Sequence, residues 1–321
     1  MKNNWCKLFK AEKLGRIAFV SFIFILLLVI TTCSPEKKLI VFSQSQNFKD
    51  YWYQGKAELT RYELEQARYG EIHKGHAVLV FVTEDFLPDK QVKLEHGKSE
   101  NSTSVLKLNF VRKFVTGIYP YSILTSIFTP VDQINWKHTL KVSNSDQEWC
   151  GSTYFQLNYR KEKYEGLGHS YFQDEADQKF TLNSDVTLED EIWNRIRLSP
   201  NSLPIGKIKM LPGLYFIRFR HIGFKIYEAN AELSSIKDPE LSVDSVQVYT
   251  INYLDINRKL KIMFEPKFPY AILGWEETYK SGWGSKAREL TTRAKRANTL
   301  VTDYWTKHSV ADSTYRKMLG F

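Results

Sequence analysis

Two side chains in the middle of the chain, a cysteine and a histidine, are of the types that nucleophilic catalysis uses. Cys150 lies two residues after Glu148, and His138 precedes the polar segment 143–146, which we predict to be a turn. A cysteine nucleophile needs a histidine base within hydrogen-bonding reach and a third group that orients the base. The spacing identifies no third group. Cys150 and His138 are therefore weak catalytic candidates, and a buried, inert cysteine in a strand is the alternative.

Two other segments carry residues that could bind a metal ion. Glu71, His73 and His76 lie close together, but the sequence offers no second cluster to complete a tetrahedral site. The acidic segment 174–177 lacks the ligand spacing and the glycine of a calcium loop. We therefore predict an ordinary polar turn and a solvated loop, with neither a metal ion nor a cofactor.

The sequence lacks the short patterns of several enzyme classes. It contains no Gly-x-Ser-x-Gly nucleophile turn, no phosphate-binding loop, no dinucleotide fingerprint and no HExxH zinc motif. These absences favour a binding protein over an enzyme. A hydrolase or transferase that uses Cys150 with His138 remains the alternative.

Cys33 offers a different chemistry, because it follows a segment that is typical of export. Residues 1–16 carry five basic side chains, and residues 17–30 are apolar except for Ser21. A basic segment before a short apolar core predicts a signal peptide over residues 1–32. As a helix the core would span about 21 Å, less than the ~30 Å of a bilayer interior. An uncleaved anchor over residues 17–33 is the alternative.

The residues directly before Cys33 indicate that its thiol is acylated. Ile30-Thr31-Thr32-Cys33 resembles a lipobox, in which the cysteine thiol accepts a diacylglycerol. Several acyl chains hold a protein to a membrane without a spanning helix. Ser34 stands where an aspartate would resemble an inner-membrane retention signal, so we expect an outer-membrane lipoprotein with a short tether over residues 33–50.

Removal of the signal peptide changes the charge and the cysteine content. It takes five of the 45 basic and one of the 36 acidic residues, so the net charge falls from +9 to +5. In the cell envelope this charge does not indicate a nucleic-acid partner. Cys150 becomes the one cysteine without a lipid, so we expect no internal disulfide.

The body of the chain, residues 51–283, has the pattern of antiparallel sheet. Aromatic residues make up 14% of the chain, and they favour strands. Short apolar or alternating runs, separated by polar turns, predict strands in lobes over about 51–183 and 214–283, the second beginning with a strand at 214–219. The connector 184–213 contains one predicted short helix, 187–197, with three acids in its first turn. The fold class we predict is mainly β, as an antiparallel half-barrel or a two-lobed β-sandwich.

The C-terminal segment, residues 284–321, has a different period. Apolar residues recur at spacings of three and four from Ala287 to Tyr304, which predicts an amphipathic helix. Its other face is basic and could contact an anionic membrane surface; the residues concerned are Lys286, Arg288, Arg293, Lys295 and Arg296. The alternative is a terminal helix that packs on the sheet and leaves its charges in solvent.

Several segments resemble a group of exported lipoproteins. They include YWYQGKAELTRYELEQARYGE at 51–71, HTLKVSNSDQEWCG at 138–151 and FPYAILGWEETY at 268–279. Members of that group are often labelled septum formation inhibitor of the Maf type. Maf pyrophosphatases have an arginine in their phosphate-binding motif where this chain has Glu36, so the label carries no pyrophosphatase activity to this chain.

The long hairpins and the late strand at 268–279 also resemble half-barrel carriers that sort outer-membrane lipoproteins. Such carriers hold acyl chains in an aromatic-lined concavity. We therefore expect a non-enzymatic envelope lipoprotein that binds a lipid or glycolipid ligand, or an envelope protein partner. A scaffold subunit of an outer-membrane complex is a further alternative.

Overall fold

Sixteen strands of a single sheet dominate the computed structural model, which describes residues 44–321. The strands are Ala57–Arg68 (β1), Glu71–Leu87 (β2), Val92–Lys93 (β3), Thr103–Thr116 (β4), Tyr119–Pro130 (β5), Lys141–Glu148 (β6), Gly151–Arg160 (β7), Lys163–Ser170 (β8), Gln178–Asn183 (β9), Thr187–Leu188 (β10), Gly206–Leu211 (β11), Tyr227–Lys237 (β12), Ser245–Tyr253 (β13), Arg258–Phe264 (β14), Ile272–Ser281 (β15) and Arg288–Thr302 (β16).

Four α-helices accompany the sheet within these residues. They are Gln46–Trp52 (α1), Glu189–Leu198 (α2), Leu214–Arg220 (α3) and Ser313–Met318 (α4). Short 3₁₀ turns lie at Pro200–Ser202, Gly284–Lys286, Tyr304–Thr306 and Val310–Asp312. None of the helices in this part of the chain has the length and apolar character needed to cross a bilayer.

The sheet is an antiparallel meander in which the first and last strands of the described chain lie side by side in the middle of the strand order. The strand order is β10-β11-β12-β13-β14-β15-β16-β1-β2-β4-β5-β6-β7-β8-β9, with β3 beside β2. The C-terminal strand β16 pairs with the first strand β1, and β10 with β11 is the parallel pair among these ladders. Strands of both predicted lobes therefore belong to one sheet. The prediction of a mainly β, antiparallel fold is confirmed.

Two observations show that the sheet curls round an interior. The edge strands β9 and β10 lie four residues apart in the chain, a stretch that reaches at most about 14 Å. Phe110 on β4 and Trp275 on β15 have ring centroids 5.1 Å apart, although strands four places apart in a flat sheet would be separated by about 19 Å. The sheet therefore wraps round, and it stays open between β9 and β10.

The helix α2 fills much of this interior. Trp193 packs edge-on against Phe110 at 4.9 Å and against Trp275 at 5.4 Å, measured between ring centroids. Asn194 donates a hydrogen bond to the carbonyl of Leu106 at 2.8 Å, which fixes the helix to β4. The second interior helix, α3, packs Phe219 against Phe114 of β4. The concave side of the sheet is thus a packed core.

The predicted C-terminal helix over 284–321 is wrong, because residues 288–302 form β16. Leu290, Thr292 and Ala294 face inward, and the exposed Arg293 and Lys295 alternate with them. The segment therefore has the two-residue period of a strand as well as apolar residues at the helical spacing of three and four. As a strand, this segment satisfies the backbone groups of both β15 and β1, which would otherwise be open edges. The helix in this region is the short α4.

Three local predictions also need correction. Residues 214–219, predicted as a strand, form the helix α3, since every side chain from Leu214 to Phe219 is buried and periodicity cannot distinguish the two. The polar segment 143–146 is not a turn but lies inside β6. Residues 46–50 of the predicted tether belong to the helix α1, which extends to Trp52 and buries Phe48 and Trp52. The predicted signal peptide, Cys33 and the tether up to residue 43 lie outside the described residues.

Candidate functional site

A cleft opens at one end of the sheet, where β1, β4, β6, β8, β13 and β15 all end. We name this end the His221 end. The cleft has a volume of about 290 Å³ and lies between α3, the β8–β9 connection and β7. Its lining combines phenylalanine and isoleucine side chains with charged and amide side chains. We name it the His221 cleft.

The C-terminus of α3 positions the histidine in this cleft. His221 caps the helix with a left-handed backbone (φ 52°, ψ 46°), and the amide of Ile222 donates to the carbonyl of Ile217 at 3.1 Å. This is the usual geometry of a helix end that glycine favours. A left-handed backbone is unfavourable for histidine, so the contacts around His221 must stabilise this conformation. The result is that the imidazole turns back beside Arg218.

Hydrogen bonds connect His221 to an acid in the β8–β9 connection and, through that acid, to a serine at the end of β8. Nδ1 of His221 lies 2.6 Å from Oε1 of Glu175, and the hydroxyl of Ser170 donates to Oε2 of Glu175 at 2.7 Å. Burial alone would raise the pKa of Glu175, but the hydrogen bonds from His221 and Ser170 hold it below its usual range. Glu175 is therefore the ionised centre of this set.

Arg218 extends the network into the sheet. It donates from Nε to the hydroxyl of Thr153 at 3.1 Å and from Nη2 to Oε1 of Glu148 at 3.1 Å. Its Nη1 lies 3.2 Å from Nε2 of His221, and its guanidinium lies 4.3 Å from the centroid of the Phe172 ring. The pair Arg218 and Glu148 is almost fully buried, so this side chain is a fixed part of the floor.

Two acids of β6 lie near Arg218 but do not line the cleft. Asp146 lies beside Glu148 on the inner face of β6, and one carboxylate oxygen of each is buried without a hydrogen-bond partner among the described residues. Burial raises the pKa of Asp146 to about 6, with the charge of Glu148 adding to the effect. A second anion beside Glu148 is therefore unfavourable, and burial favours the protonated form of Asp146.

Neutralisation of Asp146 should make folding less sensitive to pH. Its raised pKa means that the protonated form stabilises the folded state below pH 4 and that this contribution is lost as the pH rises through 6. At pH 8 we expect the free energy of unfolding of Asp146→Asn to be about 2 to 3 kcal/mol higher than that of the wild type, and at pH 4 we expect the two values to be equal. Urea unfolding at both pH values measures this. The exposed Asp255→Asn is the control, and an equal pH response in wild type and Asp146→Asn would contradict the assignment.

Aromatic side chains continue from the cleft along the same end of the sheet. The hydroxyls of Tyr69 and Tyr121 lie 2.6 Å apart, and Tyr119 donates to Tyr69 at 3.0 Å. The guanidinium of Arg68 lies 4.4 Å from the Tyr69 ring centroid. Trp149, in the β6–β7 turn, stacks near Tyr119 with 6.4 Å between centroids. The cleft therefore lies beside an extended aromatic surface.

A second group of charges is sealed inside the protein. Arg258 forms a bidentate ion pair with Glu189 at the start of α2 and a further contact of 2.7 Å with Glu277 of β15. Tyr215 donates to Glu277, and Asp190 accepts from the amide of Leu214 at 2.9 Å. The space between these groups is about 10 Å³, enough for one water molecule. We name this group the interior ion cluster.

Burial changes the protonation of the interior ion cluster. It raises the pKa of Asp190 to about 7, and burial together with the charge of Glu189 raises the pKa of Glu277 well above its usual range. Burial also lowers the pKa of Arg112, which lies between the rings of Phe110 and Tyr215, to about 10. Because the cluster is closed to ligands, its perturbed groups are structural.

The structure does not bring Cys150 and His138 together. Cys150 is exposed in the turn after β6, whereas His138 precedes β6 and stacks on Tyr159 with 4.6 Å between centroids. The eight residues of β6 separate them by more than about 20 Å. The predicted inert cysteine is not buried either. These two residues do not form one site.

The five basic residues of the predicted helix are divided along β16 and the turn before it. Lys286 and Arg288 lie at the His221 end. Three others pair with acids further along the sheet: Arg293 with Glu276, Lys295 with Glu240, and Arg296 with Glu265. They therefore do not form a single basic face.

The metal candidates are also dispersed. His73 contacts the carbonyl of Arg68 at 3.1 Å, and Asp177 pairs with His169 at 2.9 Å, while Glu175 belongs to the His221 cleft. Within residues 44–321, no group of three or more histidine, cysteine or acidic side chains could hold a metal ion.

Comparison with known proteins identifies no relative with a similar site. No protein-family model, curated protein or solved structure matches the chain. The cleft residues must therefore be interpreted from their own chemistry.

Sequence reasoning missed the main residues of the cleft for identifiable reasons. The sequence pattern predicts a strand at 214–219, which includes Arg218 and ends just before His221. Glu175 was considered only as a calcium ligand. One signal was available in the sequence: the arginines that interrupt the apolar run LYFIRFR at 214–220 cannot be buried without partners.

Proposed function

We propose that this protein is a non-enzymatic lipoprotein of the cell envelope that binds the sugar part of a glycolipid in the His221 cleft. The observation that carries the proposal is the mixed lining of the cleft, which combines aromatic rings with hydrogen-bonding side chains. Phe172 and Phe224 are partly exposed and can contact the C–H surface of a sugar, and Glu175 and His221 can form hydrogen bonds with its hydroxyls. Pockets of this size with few placed polar groups are typical ligand sites.

Binding is favoured over catalysis by the way the polar groups are paired. Ser170 and His221 both bond to Glu175, so the serine has no histidine base among these contacts. The acyl part of a glycolipid is not accommodated inside the sheet, because α2 and α3 fill that space. Membrane attachment through Cys33 at the outer membrane is part of the proposal and rests on the sequence pattern of residues 17–33.

Substitutions in the cleft should weaken sugar binding without unfolding the protein. Screening of the detergent-solubilised protein on a glycan array identifies a ligand, and calorimetric titration then measures its Kd. We expect His221→Gln and Glu175→Gln each to raise the Kd at least about tenfold, since each removes a hydrogen bond and leaves its partner unpaired.

A second histidine and acid pair supplies the matched control. His169 and Asp177 lie 2.9 Å apart, both exposed and outside the cleft. His169→Gln and Asp177→Asn should leave the Kd within about twofold of the wild type. Equal losses in the two pairs of variants, or a wild type that binds no glycan, would rule out the His221 cleft as a sugar site.

A further inference from the structure

Five turns at the His221 end each present one large apolar side chain to solvent. They are the turns after β4, β6, β8, β13 and β15, and the residues are Ile118, Trp149, Tyr171, Leu254 and Trp283. Each is between 59% and 82% exposed. Turns ordinarily use glycine, asparagine, aspartate or serine at such places. We name these five residues the apolar rim.

The topology places all five side chains at the same end of the molecule. Neighbouring strands from β12 to β9 along the sheet are antiparallel, so β4, β6, β8, β13 and β15 run in one direction. The turn that follows each of them therefore lies at the same end. The described chain enters at the opposite end, where β1 begins, about 40 Å away along the twelve residues of that strand.

The rim residues differ in their surroundings. Trp283 packs against Tyr69 with 5.4 Å between ring centroids, and Trp149 lies near Tyr119 at 6.4 Å. Because Tyr119 donates a hydrogen bond to Tyr69, the two tryptophans belong to one band of tryptophan and tyrosine rings. Ile118, Tyr171 and Leu254 lie on separate turns. A lipid interface is fluid, so it can take up the band and the single side chains together.

The residue types and the nearby charges agree with a lipid interface. Tryptophan and tyrosine concentrate where the acyl chains meet the head groups, because each combines an apolar ring with a polar atom. Lys286 and Arg288 are exposed on either side of the start of β16, close after Trp283, and could contact anionic head groups. Asp255, beside Leu254, and Asp174 and Asp177, in the turn after β8, are opposing charges in these turns.

We propose that the apolar rim seats the His221 end of the protein on the interfacial region of a lipid bilayer. The five side chains enter the head-group layer, and the mouth of the His221 cleft then faces the membrane surface. The contact goes beyond the proposed sugar binding and does not depend on it, because the rim residues are not the residues that bind sugar.

The test measures how close individual tryptophans come to lipid. The full chain is added to phosphatidylcholine vesicles with brominated acyl chains, with and without phosphatidylglycerol and without glycolipid. Bromine quenches tryptophan emission at short range, so we expect quenching in the wild type. In Trp149→Phe/Trp283→Phe, we expect most of this quenching to be lost. Trp305→Phe, which changes a half-exposed tryptophan beyond the far end of β16, should keep it.

A second pair of variants separates apolar contact from the loss of a fluorophore. Ile118→Ser/Leu254→Ser keeps every tryptophan, and we expect quenching to fall severalfold. Val243→Ser/Val310→Ser changes two fully exposed valines away from the rim and should leave quenching unchanged. Absence of quenching in the wild type, or unchanged quenching in both rim variants, would overturn the proposal. Crosslinking from position 283 to a protein, without quenching, would assign the rim to a protein partner instead. Solution titration with a glycan tests the His221 cleft separately.

Discussion

Arg258→Met is expected to lower the free energy of unfolding by about 3 to 5 kcal/mol. Arg258 is fully buried and holds Glu189 and Glu277 together, so its removal leaves carboxylates in the interior without their cation. Methionine has a similar volume, which means that the loss comes from charge and not from a cavity. Urea unfolding at pH 7, followed by tryptophan emission, measures the effect.

The neighbouring Lys259 gives the matched control for this substitution. Its side chain is exposed on the same strand, so Lys259→Met should change the free energy of unfolding by less than about 0.5 kcal/mol. Addition of Glu277→Gln to Arg258→Met should recover part of the loss, because it removes one of the charges that Arg258 balances. A loss below about 1 kcal/mol in Arg258→Met would mean that water already reaches the interior ion cluster.

The interior ion cluster explains why the sequence around α2 was only partly interpretable. Three acids at the start of a helix predict a favourable contact with the helix dipole, and the helix is present at 189–198. The sequence did not reveal that all three acids are buried. Glu191 has a local partner, Arg195 on the same helix, but Glu189 pairs with Arg258 of β14 and Asp190 accepts from the amide of Leu214 in α3. Such long-range contacts leave no local pattern.

In the sheet, too, local patterns could be predicted from the sequence and long-range pairing could not. The strand-like runs on either side of residues 70–75 predict the hairpin β1–β2, but the polar turn predicted at Glu71, His73 and His76 is wrong, because all three lie in β2. The turn is made by Tyr69 and Gly70, whose φ values are 56° and 80°. The hairpin therefore follows from the sequence, but the position of its turn does not. The strand β16 does not follow, because its local spacing also fits a helix. Pairing with β1, more than 200 residues away in the chain, decided its structure.

Long-range pairing also determines the candidate site. The residues that line the His221 cleft come from β7, the β8–β9 connection, the start of β9, and α3 with the residues after it. Arg218 and Glu175 connect them to Glu148 of β6 and Ser170 of β8. Each segment taken alone has an unremarkable composition, and a polar residue on an inward face, such as Asp146, looks like a turn residue. The site exists only because the curled sheet brings β6 against α3. Its chemistry could therefore not be predicted before the topology was known.

Trp193→Ala is the second substitution with a large expected effect, and it also tests how the interior is used. Trp193 is buried between Phe110 and Trp275 at the centre of the sheet. Truncation of such a side chain leaves a cavity, and we expect a loss of about 3 to 5 kcal/mol in urea unfolding. Trp305→Ala, at a half-exposed site, should cost less than about 1 kcal/mol.

The same variant distinguishes a filled core from an acyl-binding interior. If α2 and its tryptophan are permanent parts of the core, the wild type should not bind a fluorescent fatty-acid probe, and Trp193→Ala should show its cost in stability. An interior that opens to lipid would give the opposite results. The wild type would bind the probe, and Trp193→Ala would lose little stability because the side chains around α2 would already be loosely packed. The contacts of Trp193 with rings on β4 and β15 favour the first result, since they join opposite sides of the sheet through one side chain. Ligand binding then belongs to the end of the sheet and not to its interior.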